Sequence, residues 1–213
     1  KAFFYNGSGV EPWAGKVAAD VQGTSVTTVN MTDHFSLLGA DPHIWLDPVN
    51  AQQEVQIIAD TLRLADPVNE LIYQANAEAY IAKLHGLDQE YRLGLNDCAS
   101  KDIVTSHAAF AYLAKEYGLN QVSVAGLSPD AEPSPKQLAD VTTFARANNI
   151  KYIFFETLVS PKLAETVARE IGAQTLVLNP IEGLSDAERN AGENYITLMQ
   201  KNLANLRTAL QCQ

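Results

Sequence analysis

The sequence predicts an α/β fold in which helices wind on both faces of a parallel sheet. Three observations carry that expectation. From Lys101 onward, short strand-like runs alternate with helical stretches, the order that builds parallel sheets. The chain has 213 residues, of which 46% are hydrophobic and 19% charged, enough for one large domain or two small ones with sizeable cores. Gly numbers 12 and Pro 9, which fits neither a collagenous nor a disordered chain.

Taken in order, Ala2-Phe3-Phe4-Tyr5-Asn6 reads as a short buried strand running into a turn at Gly7. It has no upstream neighbour to pair with, so the expectation is that preceding sequence is absent from this chain and that its length is a minimum. A helical stretch from about Val10 to Val21 follows, then Ser25-Val26-Thr27-Thr28-Val29, whose β-branched residues favour a strand. Residues 30–41 show no period and read as a loop. Asp47-Pro48 opens an amphipathic helix to about Leu64, with Val55, Ile58, Ala59 and Leu62 on one face and Asp66-Pro67 closing it. A second helix, from about Val68 to Leu95, spans about 40 Å at ~1.5 Å per residue, long enough to bridge two lobes. Strands at Ile103 to Thr105, Gln121 to Val124, Tyr152 to Phe155 and Thr175 to Leu178 then alternate with helices. Those helices are expected at Ala108 to Tyr117, Pro135 to Ala147, Pro161 to Ile171 and about Ala187 to Leu210. In such a sheet ligands gather beyond the carboxyl ends of the strands. That rule points to Ser106-His107, residues 126–134, Glu156-Thr157 and residues 179–182.

Lys and Arg total 15 against 25 acidic residues, a formal net charge of −10, and this field repels phosphate backbones. Nucleic acid is excluded as a partner. No window approaches the ~18 apolar residues of a membrane span, and the first residues have neither the basic start nor the apolar run of a signal peptide. Cys98 and Cys212 are the only cysteines and share no metal-type spacing. Their number alone leaves open a bridge, which would point to an extracytoplasmic compartment, or two buried thiols. The signatures GxSxG, GxxxxGK[ST], HExxH and GxGxxG are all absent.

Three residues stand where chemistry is expected. His107 follows the strand Ile103-Val104-Thr105 and so projects into the cleft at the sheet's carboxyl edge; Glu182 lies just past the last strand at the same edge. His43 sits in Asp41-Pro42-His43-Ile44-Trp45-Leu46-Asp47-Pro48, bracketed by two Asp-Pro pairs and beside a tryptophan. A structural histidine, a solvated loop carboxylate and a turn histidine are the alternatives that position alone leaves open. His34 and His85 read as solvent-facing.

Four segments together resemble a known family. They are Asp41 to Pro48, Thr105-Ser106-His107-Ala108-Ala109-Phe110, Ala131-Glu132-Pro133-Ser134-Pro135 and Asn179-Pro180-Ile181-Glu182-Gly183-Leu184. In this order they resemble the metal-specific solute-binding proteins of bacterial ABC transporters, in their zinc-binding ZnuA and AdcA-like group. The resemblance implies two α/β lobes with parallel sheets flanked by helices, joined by one long rigid helix. Residues 1–67 would be the remnant of an incomplete amino-terminal lobe, 68–97 the connecting helix and 98–213 the carboxyl-terminal lobe. It implies a monomeric periplasmic or lipid-anchored protein that captures Zn²⁺ between the lobes and delivers it to a membrane permease, with Mn²⁺ disfavoured by a histidine-rich ligand set.

The same resemblance carries three metal ligands onto this chain: His43, His107 and Glu182. Glu182 takes the carboxylate role because Asn179, where the family often has an aspartate, is an amide. The family's first histidine has no match here, and residues 30–41 hold only His34 in place of the His-rich loop many members carry. Glu156, at the end of a strand on the same sheet edge, is the candidate carboxylate for orienting a ligating histidine. The resemblance also implies a Cys98–Cys212 disulfide closing the second lobe on itself. Two other functions use the same residues: a zinc-dependent hydrolase, with two histidines, a glutamate and an open coordination position, and a metal-linked surface adhesin.

Overall fold

The computed structural model describes residues 1–7, 11–128 and 131–213. The chain forms two compact units, Lys1–Asp88 and Gln89–Gln213, whose boundary falls within one continuous helix.

In the first unit, β1 (Ala2–Tyr5) and β2 (Thr27–Asn30) pair in parallel with Phe3 opposite Thr28. Residues two apart on a strand share a face, and Phe3 and Tyr5 accordingly stack at 5.4 Å between ring centroids. The turn after β1 needs Gly7: its φ is +68°, and a Cβ there would lie 2.2 Å from Asn30 Oδ1. The expected helix from Val10 is shorter, α1 (Ala14–Asp20), and Val10 itself lies outside the described residues. Residues 30–41 are not wholly irregular, since Met31–His34 closes a 3-10 turn. Helix α2 (Pro48–Ala65) begins where Asp47 accepts the Val49 N–H, with Pro48 in the first turn where its missing N–H does no harm. Helix α2 packs on β1. After a 3-10 turn at Pro67–Asn69, α3 (Glu70–Gly94) runs for 25 residues. His34 and His85 are both exposed.

The second unit holds β3 (Asp102–Thr105), α4 (Ala111–Tyr117), β4 (Asn120–Ser123), α5 (Pro135–Ala147), β5 (Tyr152–Phe155), α6 (Lys162–Ile171) and β6 (Gln174–Val177). The four strands are parallel in the order β4-β3-β5-β6. Val104 and its register partner Ile153 point to one face, where Val141 and Ala145 of α5 and Ala164, Val167 and Ala168 of α6 complete a buried cluster. Two helices close the chain where one was expected from Ala187 to Leu210. They are α7 (Asp186–Asn190) and α8 (Tyr195–Leu210), separated by Gly192 at φ +74° and restarted by the Asn194 cap. Helix α8 packs on β3 and β6. The end of α3 is tied to it by the buried Tyr91 hydroxyl, which donates to the Met199 carbonyl at 2.7 Å.

The Cys98–Cys212 disulfide is formed, and the segments around it pair: Ala99 N–H donates to Gln211 O, Ser100 N–H to Leu210 O and Gln213 N–H to Asp97 O. The bridge closes the second unit from its first strand to its last helix. No described helix is long and apolar enough to cross a membrane.

Candidate metal centre

The winding direction of the second sheet selects a site. From β3 the chain crosses to β4 on one side and then returns to β5 on the other, so the strand order reverses between β3 and β5. In an open α/β sheet that reversal leaves a crevice beyond the carboxyl ends of the two strands. His107 follows β3 and Glu156 follows β5.

The main chain beyond β3 stays anchored. Val124 N–H donates to Thr105 O, Ala125 N–H to Ser106 O and Ala108 N–H to Gly126 O, which delays α4 to Ala111 instead of Ala108. The His107 carbonyl accepts from Thr105 Oγ1 at 2.7 Å and from Gln121 Nε2 at 3.1 Å, and the same Gln121 amide donates to Thr105 Oγ1. The ring is then fixed from its own side. His107 Nδ1 lies 2.5 Å from Glu156 Oε1, an oxygen that also accepts from Ser106 Oγ. His107 Nε2 lies 3.5 Å from Glu182 Oε1, in the loop after β6. His107 is fully buried and Glu156 is 4% exposed. Burial pushes the imidazolium pKa down, but the hydrogen bonds to Glu156 and Glu182, and then their charges, outweigh it and hold His107 up at about 9. Near neutral pH the ring is therefore a cation between two carboxylates.

His43 is held by the same device in the first unit. Asp41 Oδ1 accepts the His43 backbone N–H at 3.0 Å and lies 2.7 Å from His43 Nδ1. The ring sits 5.2 Å from that of Trp45, centroid to centroid, and is buried. A carboxylate on Nδ1 fixes the tautomer and orientation that make Nε2 the ligating atom, the arrangement common around histidines that bind metals.

The second unit thus brings together His107, Glu182 and Glu156, while His43 stands in the first unit with Asp41. Sequence reasoning reached Ser106 only as a strand-end position and missed the supporting roles of Asp41, Thr105 and Gln121. Asp41 carried a signal, as the residue two before His43 in Asp-Pro-His, where an Asx turn reaches the second backbone N–H on. Gln121 carried none, because its partner is set by the pairing of β4 with β3. Imidazole nitrogen with a carboxylate oxygen suits a borderline divalent cation such as zinc better than the oxygen-rich sites favoured by manganese.

Comparison with known proteins gives the same direction. The zinc-binding lipoprotein AdcA of Streptococcus pneumoniae serotype 4 is 41% identical over 224 residues, covering 96% of this chain and 45% of that protein. The high-affinity zinc uptake system protein ZnuA of Bacillus subtilis is 45% identical over 170 residues, 80% of this chain and 53% of that protein. The chain spans about half the length of these curated relatives. Among solved structures, the Zn(II)-bound ZnuA-like domain of Streptococcus pneumoniae AdcA matches with a TM-score of 0.85 at 43% identity, covering 98% of this chain and 79% of that one. The laminin-binding protein Lmb of Streptococcus agalactiae matches with a TM-score of 0.87 at 34% identity, covering 99% of this chain and 80% of that one. The family model "Zinc-uptake complex component A periplasmic" matches residues 1–209, and the chain belongs to this ZnuA family.

Proposed function

We propose that this chain is the metal-capturing part of an extracytoplasmic zinc-binding protein that acts as a monomer and delivers its cargo to the membrane permease of an ABC importer. His43, His107 and Glu182 are the zinc ligands it supplies. The observation that carries the reading is the paired orientation of the histidines: each has Nδ1 held by a buried carboxylate, Asp41 or Glu156, which assigns ligation to Nε2. Glu182 beside His107 Nε2 adds the oxygen ligand.

Binding rather than hydrolysis fits these residues. A hydrolytic site needs an open metal position and a general base, and the two buried carboxylates nearest the histidines are already committed to orienting them. The names of the relatives, a zinc-binding lipoprotein and a zinc uptake protein, agree with a role in transport outside the cytoplasm. The disulfide supports the same compartment. The likeness to Lmb, described as bifunctional with adhesin and metal transporting activity, supports a second reading as a surface adhesin.

The test uses the full-length protein. Calorimetric titration is expected to show one zinc per chain bound far more tightly than Mn²⁺, with no zinc-dependent hydrolysis of generic esters or peptides. Zinc-dependent hydrolysis, or preference for Mn²⁺, would overturn the reading. Retention on immobilised laminin, set against a non-adhesive control protein, would support the adhesin role.

A further inference from the structure

The loop that carries Glu182 is closed by side chains that touch no ligand. Asn179, just past β6, is 3% exposed, and its backbone is gripped at both polar atoms by Asn202 of α8, itself 1% exposed. Asn179 N–H donates to Asn202 Oδ1 at 2.8 Å, and Asn202 Nδ2 donates to Asn179 O at 2.7 Å. The Asn179 side chain then works in both directions. Its Oδ1 accepts the Ile181 N–H at 2.8 Å, while its Nδ2 donates to Glu188 Oε1 at 2.8 Å and to Thr157 Oγ1 at 3.2 Å. The other oxygen of Glu188 accepts from the N–H and hydroxyl of Ser185, closing the capping box of α7. The two ends of the loop are thus joined through one amide and one carboxylate.

Between them stands Ile181 at φ +55°. A β-branched residue in the left-handed region is an outlier, held only where the surroundings over-determine it. Here Asn179 Oδ1 holds its N–H, and the residue that follows the bend is Glu182, 3.5 Å from His107 Nε2.

We propose that Asn179 is a positioning residue: anchored by Asn202 and latched to Glu188, it holds Ile181 left-handed and so aims Glu182 at the metal. This rests on the reading of Glu182 as a zinc ligand. It also gives a physical reason for an amide at this position. An aspartate has no donor for Glu188 and would set two carboxylates against each other, so the residue serves the loop and not the ion.

Zinc affinity is measured on the full-length protein by competition with a chelator, together with the melting temperature of the metal-free form. Asn179→Asp is expected to weaken zinc by the ~10–100-fold typical of removing a ligand's supporting partner. Adding Glu188→Gln reverses the polarity of the latch, with an amide at 188 donating to a carboxylate at 179 while its oxygen still accepts from Ser185. This double variant is expected to return to within about threefold of the parent, the coupling expected of groups in direct contact. Parent-like or tighter binding by Asn179→Asp, or a double variant no better than the single one, overturns the proposal. If Asn179→Asp does not fold, the double variant decides alone: parent-like affinity supports the latch, and weak binding or misfolding overturns it. Glu182→Ala is run alongside. Parent-like binding by Glu182→Ala overturns the ligand assignment itself, whereas weakened binding there with no effect of Asn179→Asp overturns the latch alone.

Discussion

Replacing Glu156 with glutamine should change how zinc binding depends on pH as well as its strength. In the metal-free protein His107 is held up at about 9, with Glu156 Oε1 2.5 Å from Nδ1. On the proposed ligation by His107, zinc must displace that proton. From about pH 7 to 9 the competition amounts to two pH units, about 3 kcal/mol or a hundredfold in apparent affinity, at ~1.4 kcal/mol per unit. The parent's zinc affinity should therefore rise about tenfold per pH unit over that window and level off above about pH 9. Glutamine keeps the shape of the contact but removes the charge, so the imidazolium loses its main support and the ring sheds its proton at lower pH. The neutral ring is also a poorer ligand, which accounts for a ~10–100-fold loss where proton competition is absent. Chelator competition across this range should show a flatter profile for Glu156→Gln, with the largest deficit at the alkaline end and a smaller one near neutrality. Two parallel profiles, or a variant as steep as the parent, would refute the assignment of that proton to the His107–Glu156 pair.

Other expectations concern stability. Because the folded His107 pKa of about 9 lies above the usual ~6.5, its contribution is fully present below about pH 6.5 and lost as pH rises toward 9. The metal-free protein should melt at progressively lower temperature over that interval, and His107→Gln should flatten the decline; a rise in the parent would contradict it. Burial pushes Glu54 of α2 up to about 7, so the folded state keeps a proton the unfolded chain has lost, and stability falls from about pH 4.5 to 7. Glu54→Gln should then gain about 2–3 kcal/mol near pH 8 and almost nothing near pH 4, read from urea midpoints. Opening the Cys98–Cys212 bridge, which spans 114 residues, removes roughly 4–5 kcal/mol in the chain-entropy account, and urea unfolding with and without reductant measures it.

Much of this is legible in the amino-acid order alone, for reasons that can be traced to particular residues. Strands β3 to β6 lie within one residue of the apolar runs that predict them, and α5 matches Pro135 to Ala147, because Ser134 and Pro135 mark its start unambiguously. His107 and Glu156 were reachable from the rule that ligands collect at strand ends. Two of the misses share a cause, namely contacts that only the assembled fold creates, and a third is local. The late start of α4 follows from hydrogen bonds between the chain after β3 and the chain after β4. The break between α7 and α8 turns on Gly192 and on the Asn194–Thr197 capping box, whose third residue is not the usual Glu or Gln. Asn202 lies 23 residues beyond the Asn179 backbone it holds, so its role is invisible along the chain.

The central proposal is that His43, His107 and Glu182 hold one zinc ion. Zinc titration of the full-length protein beside His43→Ala, His107→Ala and Glu182→Ala, each checked for parent-like melting without metal, tests it most directly. The predicted result is one tight zinc in the parent and a loss in every variant larger than the ~10–100-fold of an outer partner. Parent-like zinc binding by all three variants would contradict it.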